Sequence, residues 1–357
     1  MPKTSPAGPK GMPLFGSLGA LRRDPLGLLR DMASYGDVSC ARLGARTLYL
    51  VNRADLIAQL LPPSQPATPN NHLNECAETI IACARQCAFN FRDDEVRDIH
   101  QTMRELSGEI IAKTGLGAAS CEGANGAITN AGEIIALALT YGAYLVALHP
   151  AVASRLRNEL DEQLSSRQPL AADASELPYL DAVVRESLRL YPPLWTVARE
   201  LDSAIELAGY AIAKGARVWC SPSTIQRDAR YFARPNALKP ERWFSREASA
   251  LPSFAYFPVS VAPRPDALDR DRFVMLATRL SLAILSTHVE LRPVPGFRME
   301  LEASTLLRPR RRVRMLVRRR HRRPRMLRKA EPARRTAATG GVTSSAMRDA
   351  TGALQRE

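Results

Sequence analysis

Hydrophobic positions along this chain change period several times, and the changes divide it into elements. Residues 24–35, DPLGLLRDMASY, open with Asp24 as a helix N-cap and Pro25 in the first turn. Leu26, Leu28, Leu29 and Met32 follow behind them, and Gly36 ends the helix. VSCARL and TLYLV alternate or run apolar with β-branched residues and read as a hairpin. Residues 54–61 predict a short helix stopped by Pro62-Pro63. Residues 99–115 repeat at helical spacing and end on Gly115. Residues 127–148, AITNAGEIIALALTYGAYLVAL, are apolar on nearly every side, and His149-Pro150 closes them. Pro150 starts an amphipathic helix with Val152, Leu156 and Leu160 on one face. Residues 176–190 predict another helix, halted at Tyr191-Pro192-Pro193.

Short strand-like pieces, AIELAGYAI and RVWCSP, come next, then a proline-rich meander over 234–265. A helix over 271–286 and strands near 288–307 complete the body. Residues 1–16 read as an extended lead-in, while 62–98 and 116–126 carry no assigned element. The segment 127–148 raises the question of a membrane span. Glu133 interrupts it, and the remainder is shorter than the roughly 20 apolar residues a bilayer needs. A buried central helix, with no membrane span, is the expectation.

Composition fits this pattern. The chain is 45% hydrophobic but only 6% aromatic, so its core is drawn mostly from Ala, Leu, Val and Ile, which favours helices. The expected class is mainly α with minor β. The six cysteines are too sparse for a secreted disulfide scaffold, and the N-terminal stretch has no apolar run resembling a signal peptide. A cytoplasmic protein is expected. Four residues invite a metal test: His72, Cys76, Cys83 and Cys87 would form one stripe on a helix. Cys76 and Cys83 would stand about 10 Å apart along it, too far to share one zinc. Packing is the preferred reading.

The net charge of +14 looks like a nucleic-acid signal. Yet residues 308–335 hold fifteen of the 50 bases and only one of the 36 acids, Glu331, so the rest of the chain is neutral. This basic stretch can contact phosphates but has no aromatic side chain for base stacking. Non-specific adhesion is expected rather than a specific nucleic-acid site. The chain divides into a body, 1–318, and a basic, low-complexity tail, 319–357, read as disordered.

One constellation carries more. Glu186 and Arg189 stand at i and i+3 within PYLDAVVRESLRLYPPLWTVARE, a spacing that alone means only a helix-surface ion pair. ELAGYAIAKGARV, SPSTIQRDARYFARPNALKPERWF and YFP follow, then Arg264. Motifs in this order resemble the cytochrome P450 family of haem-thiolate monooxygenases. The resemblance implies a structural triad of Glu186, Arg189 and Arg242. AGEIIALALTYGAYLVALHPAVASRLRNELDEQL resembles the family's long distal helix and its successor. GPKGMPLFGSLGALRRDPLGLLRDMASYGDV resembles the proline-rich entry, and GFRMELEASTLLRPRRRVRML the last hairpin. A P450-type fold, haem and a redox partner protein are implied with it.

The departures concern the chemistry. The family ligates iron through a Cys in the loop Phe-x-x-Gly-x-Arg-x-Cys-x-Gly, because a thiolate pushes electron density onto iron. Anchored on Arg264, that pattern puts Val259 at the Phe, Ala262 at the first Gly, Asp266 at the Cys and Leu268 at the last Gly. Anchored on Arg272-Phe273, it puts Leu268 at the Cys; no cysteine follows Cys220. His149 and His288 lie outside the loop, and Tyr256 is a minor alternative ligand of the catalase kind. Glu133 matches the family's distal acid, but Ile134 and Ile135 follow it without a hydroxyl to relay a proton. Arg199 and Arg264 match positions that pair with haem propionates; anchoring the meander or facing solvent is the equal alternative. Region 62–126 is shortened where the family places helices that roof the substrate pocket, and a Trp-x-x-x-Arg signature is missing.

Three readings follow from the resemblance. The chain is a degenerate P450, by descent a haem-dependent monooxygenase but inactive as such. Or it is a haem-free helper that stabilises a partner enzyme such as a glycosyltransferase. Or it is the product of a decaying gene.

Overall fold

The structure, a computed structural model, describes residues 5–61, 72–115, 120–122, 128–164, 176–259 and 267–320, with backbone alone at 72–74, 120–122, 128–130 and 267–270. A short helix, α1 (Leu18–Arg23), precedes α2 (Pro25–Ser34). Asp24 caps α2, its Oδ1 accepting from the Gly27 amide at 2.9 Å, and Leu28, Leu29 and Met32 are buried. The hairpin β1 (Val38–Leu43) and β2 (Arg46–Val51) leads to α3 (Ala54–Leu60).

The next element is α4 (His72–Phe89), in a stretch left unassigned above. Cys76, Ala77, Ile80, Cys83 and Ala84 make its buried face, where the two cysteines serve as small hydrophobes; Cys87 of the stripe tested for metal is half-buried, and the His72 side chain lies outside the described residues. Then β3 (Val96–Asp98) runs into α5 (Ile99–Thr114), which ends on Gly115 at φ 69°, where a side chain is strained. β4 (Ser120–Glu122) pairs with β5 (Ile128–Asn130), so α6 (Ala131–Leu148) starts four residues later than its apolar run suggests. By length and composition α6 could cross a membrane, yet 78% of it is buried inside the protein, as a core helix would be.

α7 (Pro150–Leu164) buries Val152, Leu156, Leu160 and Leu164, and α8 (Pro178–Leu190) is halted before Pro192-Pro193. β6 (Val197–Glu200), the small hairpin β7 (Ile205–Leu207) and β8 (Tyr210–Ile212), β9 (Arg217–Cys220) and α9 (Pro222–Ile225) follow. The meander contains a 3-10 turn at Pro240–Phe244 and α10 (Arg246–Ser249). α11 (Ala267–His288) overruns the expected helix at both ends. The chain closes with β10 (Val289–Pro293), β11 (Leu301–Ala303), β12 (Leu307–Pro309) and β13 (Arg314–Arg319).

Helices dominate, with minor sheet. One sheet has the order β1-β2-β9-β6, β2 and β9 running parallel with Leu50 opposite Trp219. A second has the order β10-β13-β3, which joins residue 96 to residue 316. The main core is made by α4, α5, α6, α8 and α11. Helices α6 and α11 meet so closely at Gly142 that an added Cβ would stand 3.2 Å from Leu282 Cδ2. A smaller core under α2 holds Leu29, Leu48, Trp195 and Trp219. The strand β13 passes the expected body limit at 318, and Arg320 N still donates to His288 O at 2.8 Å. The rest of the tail lies outside the described residues.

Candidate functional site

Helix α8 presents Glu186 and Arg189 to the same side, both fully buried. A buried carboxylate must have partners, since an unpaired one is expelled or protonated. Glu186 Oε1 accepts from Arg189 Nη2 at 2.9 Å, Arg242 Nε at 3.0 Å and the Lys239 amide at 2.9 Å. Its Oε2 accepts from Arg189 Nε at 2.9 Å and Trp243 Nε1 at 3.1 Å. Arg189 spends its remaining donors on the carbonyls of Gln226, Pro235 and Ala237 at 2.8, 2.7 and 3.2 Å. Arg242 closes the far side onto the carbonyls of Ala233 and Arg234. The three residues picked from sequence therefore meet at one carboxylate. Arg189 and Arg242 also lie over the Phe232 ring, at 5.1 and 6.0 Å.

Sequence reasoning missed two members of this network. Gln226 is fully buried; its Nε2 donates to the carbonyls of Leu188 and Arg189 at 3.2 Å, and its Oε1 accepts from the Phe257 amide at 3.0 Å. It ties α8 to the segment entering the ligand loop. Trp243 packs edge-on against Tyr256, centroids 4.7 Å apart, beside its bond to Glu186. Only their place inside STIQRD and PERW marked either residue.

The positions expected at a haem have other partners. Glu133, in the first turn of α6, forms an ion pair with Arg308 of β12 at 2.5 Å. Ile134 and Ile135 are fully buried in the main core. Arg199 on β6 donates to the Leu60 carbonyl and lies 3.9 Å from Asp202. Leu60 is the last residue of α3, so the guanidinium sits at the negative end of a helix. Arg264 and Asp266 lie outside the described residues, and Leu268 is placed in the first turn of α11.

No described side chain replaces the thiolate. Tyr256 donates to the Arg185 carbonyl at 3.1 Å, and burial pushes its phenol far up. His288 terminates α11, a helix of 22 residues, roughly 33 Å from its start at 1.5 Å per residue. The His149 ring bonds the Leu145 carbonyl at 2.8 Å. Cys220 is the last residue of β9, a strand flanked by β2 and β6, and burial raises its thiol to about 12. Burial likewise raises the thiols of Cys76, Cys83 and Cys87, the last to about 11. Among the described residues, no three His, Cys, Asp or Glu cluster as metal ligands. Among the described residues, the donor set does not fit a haem iron.

Comparison with known proteins matches the family profile described as Cytochrome P450 to residues 128–264, a stretch holding the whole Glu186 network and stopping before Asp266. Cyclooctatin synthase of Streptomyces melanosporofaciens is 34% identical over 164 residues, 46% of this chain and 35% of that protein. Cytochrome P450 4V2 of Homo sapiens is 35% identical over 134 residues, 37% of this chain and 26% of that protein. A putative cytochrome P450 132 of Mycobacterium tuberculosis is 32% identical over 188 residues, covering 53% and 40%. The chain thus spans between about a quarter and two fifths of these relatives. Haem is the cofactor of the matched family, monooxygenation its reaction, and redox proteins its usual partners. The buried Glu186–Arg189–Arg242 network lies wholly inside the stretch, residues 128–264, that is similar to the cytochrome P450 family.

Proposed function

We propose that this chain keeps the scaffold of a haem-dependent monooxygenase without its iron chemistry. The observation that carries the reading is the missing sulfur donor. No cysteine follows Cys220, and Cys220 itself is a buried thiol in the middle of a sheet. The commitments of Glu133 to Arg308 and of Arg199 to the Leu60 carbonyl add support, because neither is free for a distal proton or a propionate. No catalytic step is assigned to the chain. The full chain, produced with a haem supply, is expected to purify without a Soret band. A reduced sample under carbon monoxide that develops the red-shifted band of a thiolate complex sinks the proposal.

A second layer of this reading gives the chain a binding role in the cytoplasm, as a helper that stabilises a partner enzyme such as a glycosyltransferase. What favours it over a decaying gene is the completeness of the Glu186 network, every donor of which is in place. A helper raises the soluble yield and melting temperature of a co-produced partner. An unchanged yield and melting temperature across the partner enzymes produced beside it argues for the decaying gene.

A further inference from the structure

The sheet β10-β13-β3 is open along β10. Leu291 of β10 stands opposite Val317 of β13. Val317 spends both backbone groups on the other side: its amide donates to the Glu95 carbonyl at 2.9 Å, and its carbonyl accepts from the Asp94 amide at 3.0 Å. Hydrogen-bonded pairs lie on either side of Leu291, where Arg320 N donates to His288 O at 2.8 Å and Val294 N to Arg314 O at 3.4 Å. Such pairs alternate along an antiparallel ladder, so the Leu291 N–H and C=O both point away from β13. Among the described residues neither group has a partner. An edge of this kind is a template for a further strand, and Pro293 ends it after a few residues.

A groove of about 610 Å3 follows the same edge, within the range of binding sites, roughly 300–1,000 Å3. Val289 and Leu291, which face the core, and Glu290 and Arg292, which leave the other face of the sheet, all line it. Lining residues of both parities place the groove beside the strand rather than over one face. Leu156 of α7 and Leu282 and Leu285 of α11, at 0%, 1% and 3% exposure, give it an apolar interior. Its charged lining residues are Arg157, Glu290 and Arg292. Glu290 is shared, by Arg157 at 3.3 Å and Arg292 at 2.9 Å. One carboxylate between two guanidiniums leaves a positive charge at the rim, which complements an acid.

These features specify different parts of one ligand. Unpaired backbone groups take another backbone, the apolar interior takes alternate apolar side chains, and the residual charge takes one carboxylate. We propose that β10 accepts an extended segment of a partner protein as an added strand. The backbone of that segment pairs with the N–H and C=O of Leu291, and its apolar side chains lie toward Leu282 and Leu285. An acidic residue of the opposite parity faces Arg157 and Arg292. This adds a surface to the helper role proposed above and rests on that role for its partner.

The test titrates the full chain into a capped, dye-labelled peptide, Thr-Val-Glu-Val-Thr-Val, by fluorescence anisotropy. A strand presents alternate amides to its neighbour. N-methylation of one alternate set of the peptide's amides is therefore expected to weaken binding about tenfold, and methylation of the other set to change it little. Glutamine in place of the glutamate is expected to weaken it roughly threefold, the worth of an exposed ion pair. Leu291→Pro, which removes the edge donor and leaves the bonds to β13, is expected to weaken binding about tenfold. Leu291→Ala keeps the donor and is expected to bind within roughly threefold of the parent. If Leu291→Pro lowers the urea midpoint, the two methylated peptides carry the test. Equal binding of both methylated peptides, or no binding of the parent peptide, overturns the proposal. So does a dimer in sedimentation velocity that Leu291→Pro dissociates while no peptide binds, since a second copy then takes the edge. Peptide binding with no gain in a co-produced enzyme's yield keeps this site and removes the helper role; a gain without peptide binding does the reverse.

Discussion

The meander side and the ligand-loop side of this molecule have opposite characters. Around Glu186 five donors converge on one buried carboxylate, and each guanidinium is in turn held by backbone carbonyls. Around the start of α6 and on β6, the described positions expected at a haem have other partners. Glu133 pairs with Arg308, and Arg199 reaches the carbonyl that ends α3. The difference follows from what each site costs to lose. A half-dismantled buried ion network leaves an unpaired charge in the core and endangers the fold. Losing a metal ligand on a loop would endanger only the chemistry, so the proposed loss of iron chemistry is compatible with an intact Glu186 network.

The largest test of this contrast is Glu186→Ala. It leaves Arg189, wholly buried, without its counter-ion, and breaking such a pair costs about 3–5 kcal/mol. Urea unfolding followed by tryptophan fluorescence should show a collapse of the midpoint or no folded protein at all. A loss below about 1 kcal/mol means the network is ornamental, and the comparison fails.

Next in size is Ile135→Thr, which puts a hydroxyl where active relatives would want one. Ile135 is fully buried, and burying an unpaired hydroxyl costs roughly 1–3 kcal/mol. An Ile135→Thr protein as stable as the parent would mean that the distal side still has room for polar chemistry.

Much of the meander side was legible in sequence and little of the other. Glu186, Arg189 and Arg242 could be read because their partners lie on one helix and in one short motif. Helix α4 was hidden because cysteines occupy two of its core positions, and cysteine reads as chemistry before it reads as packing. The strand β3 has three residues, too few for a period, and exists only because β13 arrives from more than 200 residues away. Arg308 and Leu60, the partners of Glu133 and Arg199, also lie far away in sequence. No local pattern announces a contact made by tertiary folding.

A pH experiment probes the seam between the two sides. His100 on α5 bonds Thr140 of α6 at 3.1 Å, and burial holds its pKa below the ordinary value. Asp98 opposes that shift, while Arg104 and Arg308 reinforce it. The folded protein thus binds its proton at lower pH than the unfolded chain. This contribution is complete above the unfolded value near 6.5 and is lost as pH falls through and below it. Stability of the parent should fall over that window, and His100→Asn should flatten the fall.

A smaller effect is expected at Arg199. Replacing it with Gln removes a cation from the C-terminal end of α3, worth about 0.3–1 kcal/mol in an exposed setting. A propionate anchor would behave differently, leaving stability unchanged and altering only what haem the protein retains.

The last variants should change nothing, and that is their value. Asp266→Cys and Leu268→Cys each restore sulfur at one of the two axial positions. If the missing thiolate were the sole lesion, one of them would recover a thiolate-type carbon monoxide spectrum with added haem. The other commitments predict that neither does. Arg199 remains bonded to the Leu60 carbonyl, Glu133 remains paired to Arg308, and Ile134 and Ile135 keep the face beside them apolar. A single sulfur cannot release these groups, because each is held by a partner outside the loop. Recovery of the spectrum in either variant would show that the pocket persists and that one codon separates this scaffold from its chemistry. Failure in both would locate the loss in the packing of α3, α6 and β12 as well as in the loop.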